Sequence, residues 1–535
     1  MQIVIPMSGF GERFRQAGYT VPKPLIEIDG KPIIQYVVEM FPGEKDIVFI
    51  CNKDHLQEPK YRMREILESI APSGRVIGID PHKLGPVHAV LQVIDELDPD
   101  KATIVNYADF TCDWDYVDFC RMMQDTQCDG AIPCYRGFHP HTLWSNYYAY
   151  VREENLQAYD IQEKKPFTDS PREEFASSGT YYFKSGRLMR YYFERCVAEG
   201  LTVGGEYYAS MVYKPMMQDG LNVQVYELGH FMQWGVPSDL EEYSYWSDTF
   251  RLILNEGTAP THKGSLMLPM VGLGSRFQKE GYEVPKPLIP VSGRPMSVQA
   301  LMDLPQTDCQ RFILRKDILG REQLKKVFHD ISPLSTFSIL DHMTDGQAST
   351  CVEGSVGLNI DEPVTIAACD NGMIYDASTF QSLMELDDID VIVWGARGYP
   401  GAIRSPEMYG WIDGDEIGVV KGVSVKQPLS SPSTDPIVVG TFTFKRLGDF
   451  LKSVDRMKER QALVNGEYYV DTAINDAIAL GLRCVVFEID YYICWGTPND
   501  LRTFEYWQSC FDGWSSHPYT LDEDKNKIAN IQMYA

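Results

Sequence analysis

The chain has 535 residues, 44% of them hydrophobic and 23% charged, and a formal charge of −26 at pH 7. That length exceeds what one core ordinarily organises, so two domains are expected, and the acidic balance argues against a surface for nucleic acid or anionic membrane, since either needs a basic face. No run approaches a membrane span, the 12 cysteines show no disulfide or zinc spacing, and a glycine loop from residue 9 leaves no room for a signal peptide, so a reduced, non-inserted, cytoplasmic protein is expected.

Residues 2–6 form a short apolar run of strand length, and residues 33–41 form an amphipathic segment. Between them lies G-F-G-E-R at 9–13 and P-K-P-L-I at 22–26. Gly9 and Gly11 remove side chains where a backbone must approach a ligand, and the N–H groups they leave open, with the positive end of a following helix, suit an anion. Arg13 and Lys23 add full charges for phosphate oxygens, so the stretch reads as a polyphosphate cradle. The same pattern recurs as G-L-G-S-R at 272–276 and P-K-P-L-I at 285–289, every glycine, arginine, lysine and proline keeping one offset of 263 from Gly9 to Gly272. The second copy presents Gly272, Gly274, Arg276 and Lys286, and the chain reads as two copies of one unit.

This combination resembles the signature of the nucleotidylyltransferases that join a nucleoside triphosphate to a phosphorylated sugar or small phospho-compound. Residues 137–141 (G-F-H-P-H), 163–166 (E-K-K-P) and 233–240 (Q-W-G-V-P-S-D-L) resemble the capsule-type branch near the phosphocholine and phosphoglutamine cytidylyltransferases. The resemblance covers nearly the whole chain, twice. It implies Mg2+ as cofactor, CTP as the favoured donor and a product destined for a surface polysaccharide.

After the loop, strand-like runs at 46–51, 75–79 and 102–108 alternate with helical ones at 61–71 and 87–97, which argues a mostly parallel sheet flanked by helices. Ligands of such sheets lie beyond the carboxyl ends of the strands, where Gly9, Gly85 and Asp109 all fall, so these three should converge. By the resemblance, the loops opened by Gly85 and by Gly346 and Gln347 hold the base; read by itself, each is a helix N-terminus that needs a small residue. His88 reads as a packing or capping residue. Asp109 and its counterpart Asp370 stand where the family places its magnesium ligand, and one carboxylate suffices for an ion that keeps water and phosphate oxygens. Lys164 and Lys426 resemble the lysine that meets the acceptor phosphate. Glu163 beside the first is a hydrogen-bonding partner for an acceptor hydroxyl, and Val425 stands at its counterpart. Glu206 and Glu467, within G-E-Y-Y at 205–208 and 466–469, lie along the acceptor in the family. Where many relatives carry a second metal-binding aspartate, this chain has Gln233 and Cys494.

Trp144, Tyr147 and Tyr148 are either an aromatic cage for a quaternary ammonium or one wall of a strand pair, and His139 and His141 flank a proline in what reads as a plain loop. Residues 255–262 have linker composition. The expectation is therefore an α/β protein of two tandem Rossmann-like nucleotidyltransferase domains, at 1–254 and 263–535, each a mostly parallel mixed sheet flanked by helices. The partners expected are an NTP and a phosphorylated small-molecule acceptor, with the two domains as an intramolecular pseudo-dimer open to further oligomerisation. A nucleotide-sensing protein with one or both units inactive is the other reading; a Rossmann oxidoreductase fits poorly, because Phe14 stands at the third glycine position of G-x-G-x-x-G.

Overall fold

The computed structural model describes residues 1–144, 147–254 and 259–525. The chain divides into two compact units, Met1–Ser244 and Tyr245–Ala535, the division falling within the helix Pro237–Ile253. Of the expected linker, residues 255–258 lie outside the described residues, and a strand has begun by Thr261. Asn146 also lies outside them, and the strand that follows it is Ala149–Glu154.

In the first unit the strand Gln2–Met7 pairs in parallel with Asp46–Asn52 and Thr103–Asn106, and Asp46–Asn52 pairs in parallel with Arg75–Ile79. Ile3, Val4 and Ile5 are wholly buried, as a strand covered on both faces requires. The sheet then turns mixed: Thr180–Phe183 runs antiparallel between Thr103–Asn106 and Gly130–Tyr135, and Val223–Glu227 continues parallel to the latter. The glycine-loop half is thus all parallel, which leaves one edge of carboxyl ends for a ligand.

The second unit has the same strand order. Ser335–Leu340, Gln306–Arg315, Thr261–Met270, Val364–Ile366, Ile437–Phe444, Val391–Ala396 and Cys484–Glu488 follow one another as their first-unit counterparts do, with the same parallel and antiparallel senses. The cores correspond as well: Val4, Val105, Ile132 and Phe183 in the first, Met267, Ile366, Val393 and Phe444 in the second. Each unit also has a two-stranded ribbon off the main sheet, Phe110–Asp113 with His230–Gln233 and Asn371–Ile374 with Tyr491–Cys494. Among the described residues no helix is long and apolar enough to cross a membrane.

Candidate functional site

The strand Gln2–Met7 ends in the glycine loop, and Gly11 takes the left-handed conformation (φ 62°) that starts the helix Glu12–Gln16. An added Cβ at Gly9 would meet no atom within 4 Å, so the loop backbone faces open space. Gly274 repeats the turn at φ 64°, where an added Cβ would come within 2.9 Å of the Lys286 Cβ. Gly85 (φ 87°) opens the helix Pro86–Leu91 against the backbone of Tyr207; a Cβ there would lie 2.7 Å from the Tyr207 carbonyl oxygen. The amide of Val87 donates to that carbonyl and the amide of Tyr207 donates to Leu84. Gly346 sits likewise on Tyr468, with Gln347 as the first residue of the helix Gln347–Gly354. In each unit glycine is the residue that lets the loop before this helix and the G-E-Y-Y segment share hydrogen bonds.

The ribbon brings the next group into place. The amide of Trp234 donates to the Asp109 carbonyl (2.8 Å), which sets the Gly235 carbonyl beside the Asp109 side chain. The Lys23 ammonium lies between them, 2.6 Å from Asp109 Oδ2 and 3.0 Å from the Gly235 oxygen. Lys286 bridges Asp370 and the Gly496 oxygen in the same way. Lys286 is held above the ordinary lysine range: burial opposes its charge, and Asp370 more than offsets that. Carboxylate and carbonyl oxygens already converging on an ammonium are the hard donors that a magnesium ion takes, so the residues present fit that ion. Gln233 instead donates its amide to Asp239 (2.7 Å), whose carboxyl burial pushes up to about 7. Cys494 contacts Asp500 at 3.6 Å and accepts the Gly496 amide at 3.4 Å, and burial raises its thiol far above the usual range, which disfavours a thiolate ligand.

Gly9, Gly11, Arg13, Lys23, Gly85 and Asp109 line one cavity of about 480 Å³. Glu206 and Tyr208 line the same cavity. Tyr208 donates to Glu206, and Lys164 donates to the Tyr208 hydroxyl (2.6 Å). Lys164 has φ 60° and Lys426 φ 61°, so both lysines sit on the same left-handed turn. Glu163 accepts from Ser210 (2.5 Å), and burial raises its carboxyl above the ordinary range. In the second unit burial and Arg276 lower Lys426, and burial and Glu467 push Tyr469 up to about 12. Tyr208, Ser210 and the carbonyl of Gly235 are contributors that residue type and spacing did not single out.

Three sequence features lie elsewhere. The Trp144 ring donates to Glu242 (3.1 Å), Tyr148 packs edge-on against His141, and Tyr147 is exposed, so each of the three rings is accounted for by its own surroundings. His139 and His141 are buried among Tyr135 and Phe231, and His141 meets the Tyr135 hydroxyl at 3.0 Å. His88 stands edge-on to His82 as a packing residue.

Residues 3–249 match the Nucleotidyl transferase family. The first unit belongs to that family. A segment of 113 residues is 33% identical to the bifunctional protein GlmU of Ralstonia pickettii, covering 20% of this chain and 22% of that one. Another of 176 residues is 25% identical to the mannose-1-phosphate guanyltransferase of Yarrowia lipolytica, covering 31% and 45%. The matches thus span less than half the length of these relatives. Among solved structures, a nucleoside-diphosphate-sugar pyrophosphorylase from Vibrio cholerae RC9 is 20% identical with a TM-score of 0.39, covering 45% of this chain and 99% of that one. The residues that line the cavity, from Pro6 to Gly235, all lie within the matched span 3–249.

Proposed function

We propose that the chain is a Mg2+-dependent nucleotidylyltransferase that transfers NMP from an NTP to a phosphorylated sugar or small phospho-compound, releasing pyrophosphate. The observation that carries this is the single cavity in which glycine loop, Arg13, Lys23, Asp109 and Glu206 meet, with Lys164 bonded to Tyr208. In this reading an acceptor phosphate oxygen attacks the α-phosphorus in line; the new O–P bond forms as the bond to the β-phosphate bridge breaks. The acceptor phosphate is anionic near neutral pH, so no general base is needed. Arg13 and Lys23 hold the triphosphate, Gly85 lets the base approach the helix start, and Lys164 orients the acceptor phosphate by charge. A magnesium ion held by Asp109 with the Gly235 carbonyl would supply further charge neutralisation on the triphosphate.

The same proposal takes the two units as copies of one, with Arg276, Lys286, Asp370, Lys426 and Glu467 in matching roles and domains at 1–254 and 263–535. It also takes CTP as the favoured base, a surface polysaccharide as the destination, the cytoplasm as the place, and an intramolecular pair of units as the assembly. The repeated Lys–Asp–Gly carbonyl arrangement supports activity in both units; the alternative, a regulatory second unit, is favoured by Cys494 in place of an oxygen donor. A matrix of four NTPs against sugar phosphates, phosphocholine and phosphoglutamine, read as pyrophosphate, tests it. Release confined to a few NTP–acceptor pairings, one acceptor class for each active unit, is expected, and no release with any pairing would overturn the proposal.

A further inference from the structure

In the first unit, Ala149 pairs with Glu163 across the strands Ala149–Glu154 and Gln157–Glu163, immediately before Lys164. Ser210, wholly buried, donates to Glu163 Oε2 (2.5 Å). Three residues thus bound a niche beside the lysine, and one of them, Glu163, supplies its carboxylate.

All three differ in the second unit, and they differ together. Gly410 pairs with Val425, immediately before Lys426, in the same register. The residue two places after the second tyrosine of G-E-Y-Y, Ser210 in the first unit, is Asp471 in the second. An added Cβ at Gly410 would stand 2.6 Å from Asp471 Oδ2, so the carboxylate lies in the volume that the Ala149 methyl fills in the first unit. Glutamate has become valine, serine has become aspartate, and alanine has become the one residue that leaves room for the new side chain. A carboxylate has been lost from one wall and gained on the wall opposite, with the spatial allowance it needs.

The support of this niche is rebuilt as well. Asn475, one turn along the helix Val470–Ala479 from Asp471, bonds both ways to the backbone of Val423 (2.8 and 2.9 Å), tying that helix to the strand Val420–Val425. Its amide is therefore structural rather than open to an acceptor. In the first unit the ion pair Lys214–Asp160 (3.3 Å) ties the corresponding elements. Burial raises the Asp471 carboxyl, and the charge of Lys426 opposes that rise.

We propose that Asp471 is the acceptor-reading carboxylate of the second unit, replacing Glu163, and that this unit takes its own acceptor, a phosphorylated compound bearing hydroxyls beside the phosphate. A carboxylate accepts from hydroxyls and Lys426 meets phosphate, so the niche selects a polyol or sugar phosphate over a hydroxyl-free one. The inference rests on the transferase reading above, for the second unit in particular.

The test uses the full chain carrying Asp109→Asn, with pyrophosphate release measured on glycerol 3-phosphate, glucose 1-phosphate and phosphocholine. Adding Asp471→Asn should raise the KM of the hydroxyl-bearing acceptors roughly tenfold to hundredfold while the NTP KM stays within about twofold. Adding Gly410→Ala, Val425→Glu and Asp471→Ser together, which rebuilds the first-unit niche, should instead move the acceptor preference to that of the full chain carrying Asp370→Asn. An acceptor KM unmoved by Asp471→Asn, NTP and acceptor KM moving together, or an Asp109→Asn chain inactive on the hydroxyl-bearing phosphates while the unsubstituted chain is active, would overturn this inference and leave the first unit's activity standing. An unsubstituted chain that releases no pyrophosphate from any NTP would overturn the transferase reading itself.

Discussion

Lys23 neutralises Asp109 across 2.6 Å and also donates to the Gly235 carbonyl, so removing it exposes two oxygens at once. Arg13 faces the same cavity from the helix that follows the glycine loop. Each would make charge-assisted contacts that strengthen as charge develops on the triphosphate, so Arg13→Ala or Lys23→Ala should lower pyrophosphate release roughly tenfold to thousandfold. Steady-state rates within twofold of the unsubstituted chain, in folded variants, would contradict those roles. At the same scale, burial holds the His139 imidazole down to about 3. An unfolded chain binds a proton at that residue below pH 6.5 and the folded one does not, so the stability this neutral imidazole contributes is complete above pH 6.5 and falls as pH falls towards 3. Urea unfolding should therefore show the stability gap between the unsubstituted chain and His139→Gln closing by roughly 2 to 3 kcal/mol from pH 6.5 to 4.5. A gap that does not change with pH would contradict the neutral, buried histidine.

At the scale of elements, the loops that open the helices Pro86–Leu91 and Gln347–Gly354 depend on glycines that admit no side chain. A Cβ at Gly85 would lie 2.7 Å from the Tyr207 oxygen at φ 87°, and at Gly346 2.5 Å from the Tyr468 amide at φ 134°. Gly85→Ala and Gly346→Ala should each destabilise the protein by about 1–3 kcal/mol, read by thermal melting, and weaken NTP binding in the unit that carries them. Unchanged melting and affinity would show that the two backbones separate freely. The glycine loops, the P-K-P turns and the strand-end aspartates were legible in the sequence because each is a local pattern whose residue types fix backbone conformation or charge. The acceptor niche was not. The sequence marks Val425 in place of Glu163 and sets Asp471 near the acceptor region, but the change from Ala149, Glu163 and Ser210 to Gly410, Val425 and Asp471 is spread over three elements, and that Asp471 fills the space left by Gly410 emerges only in the fold. The Asn475 amide is held by Val423, a pairing that only the fold reveals.

Across the whole molecule, two units share one strand order, one lysine–aspartate–carbonyl arrangement and one left-handed lysine turn. The repeat offset in the sequence foreshadowed this, because a pattern repeated in register fixes the order of strands as well as the identity of site residues. The repeat also located the divergence at Gln233 and Cys494 but not what each contacts: Gln233 is held by Asp239, whereas Cys494 lies against Asp500 with its thiol protonated by burial. The central claim, that each unit is a transferase with its own acceptor, is tested most directly by making Asp109→Asn and Asp370→Asn separately and running each full-length variant through the matrix of NTPs and acceptors, read as pyrophosphate. The account predicts that each variant loses one acceptor activity and keeps the other; loss of all activity in Asp109→Asn with none lost in Asp370→Asn would contradict it.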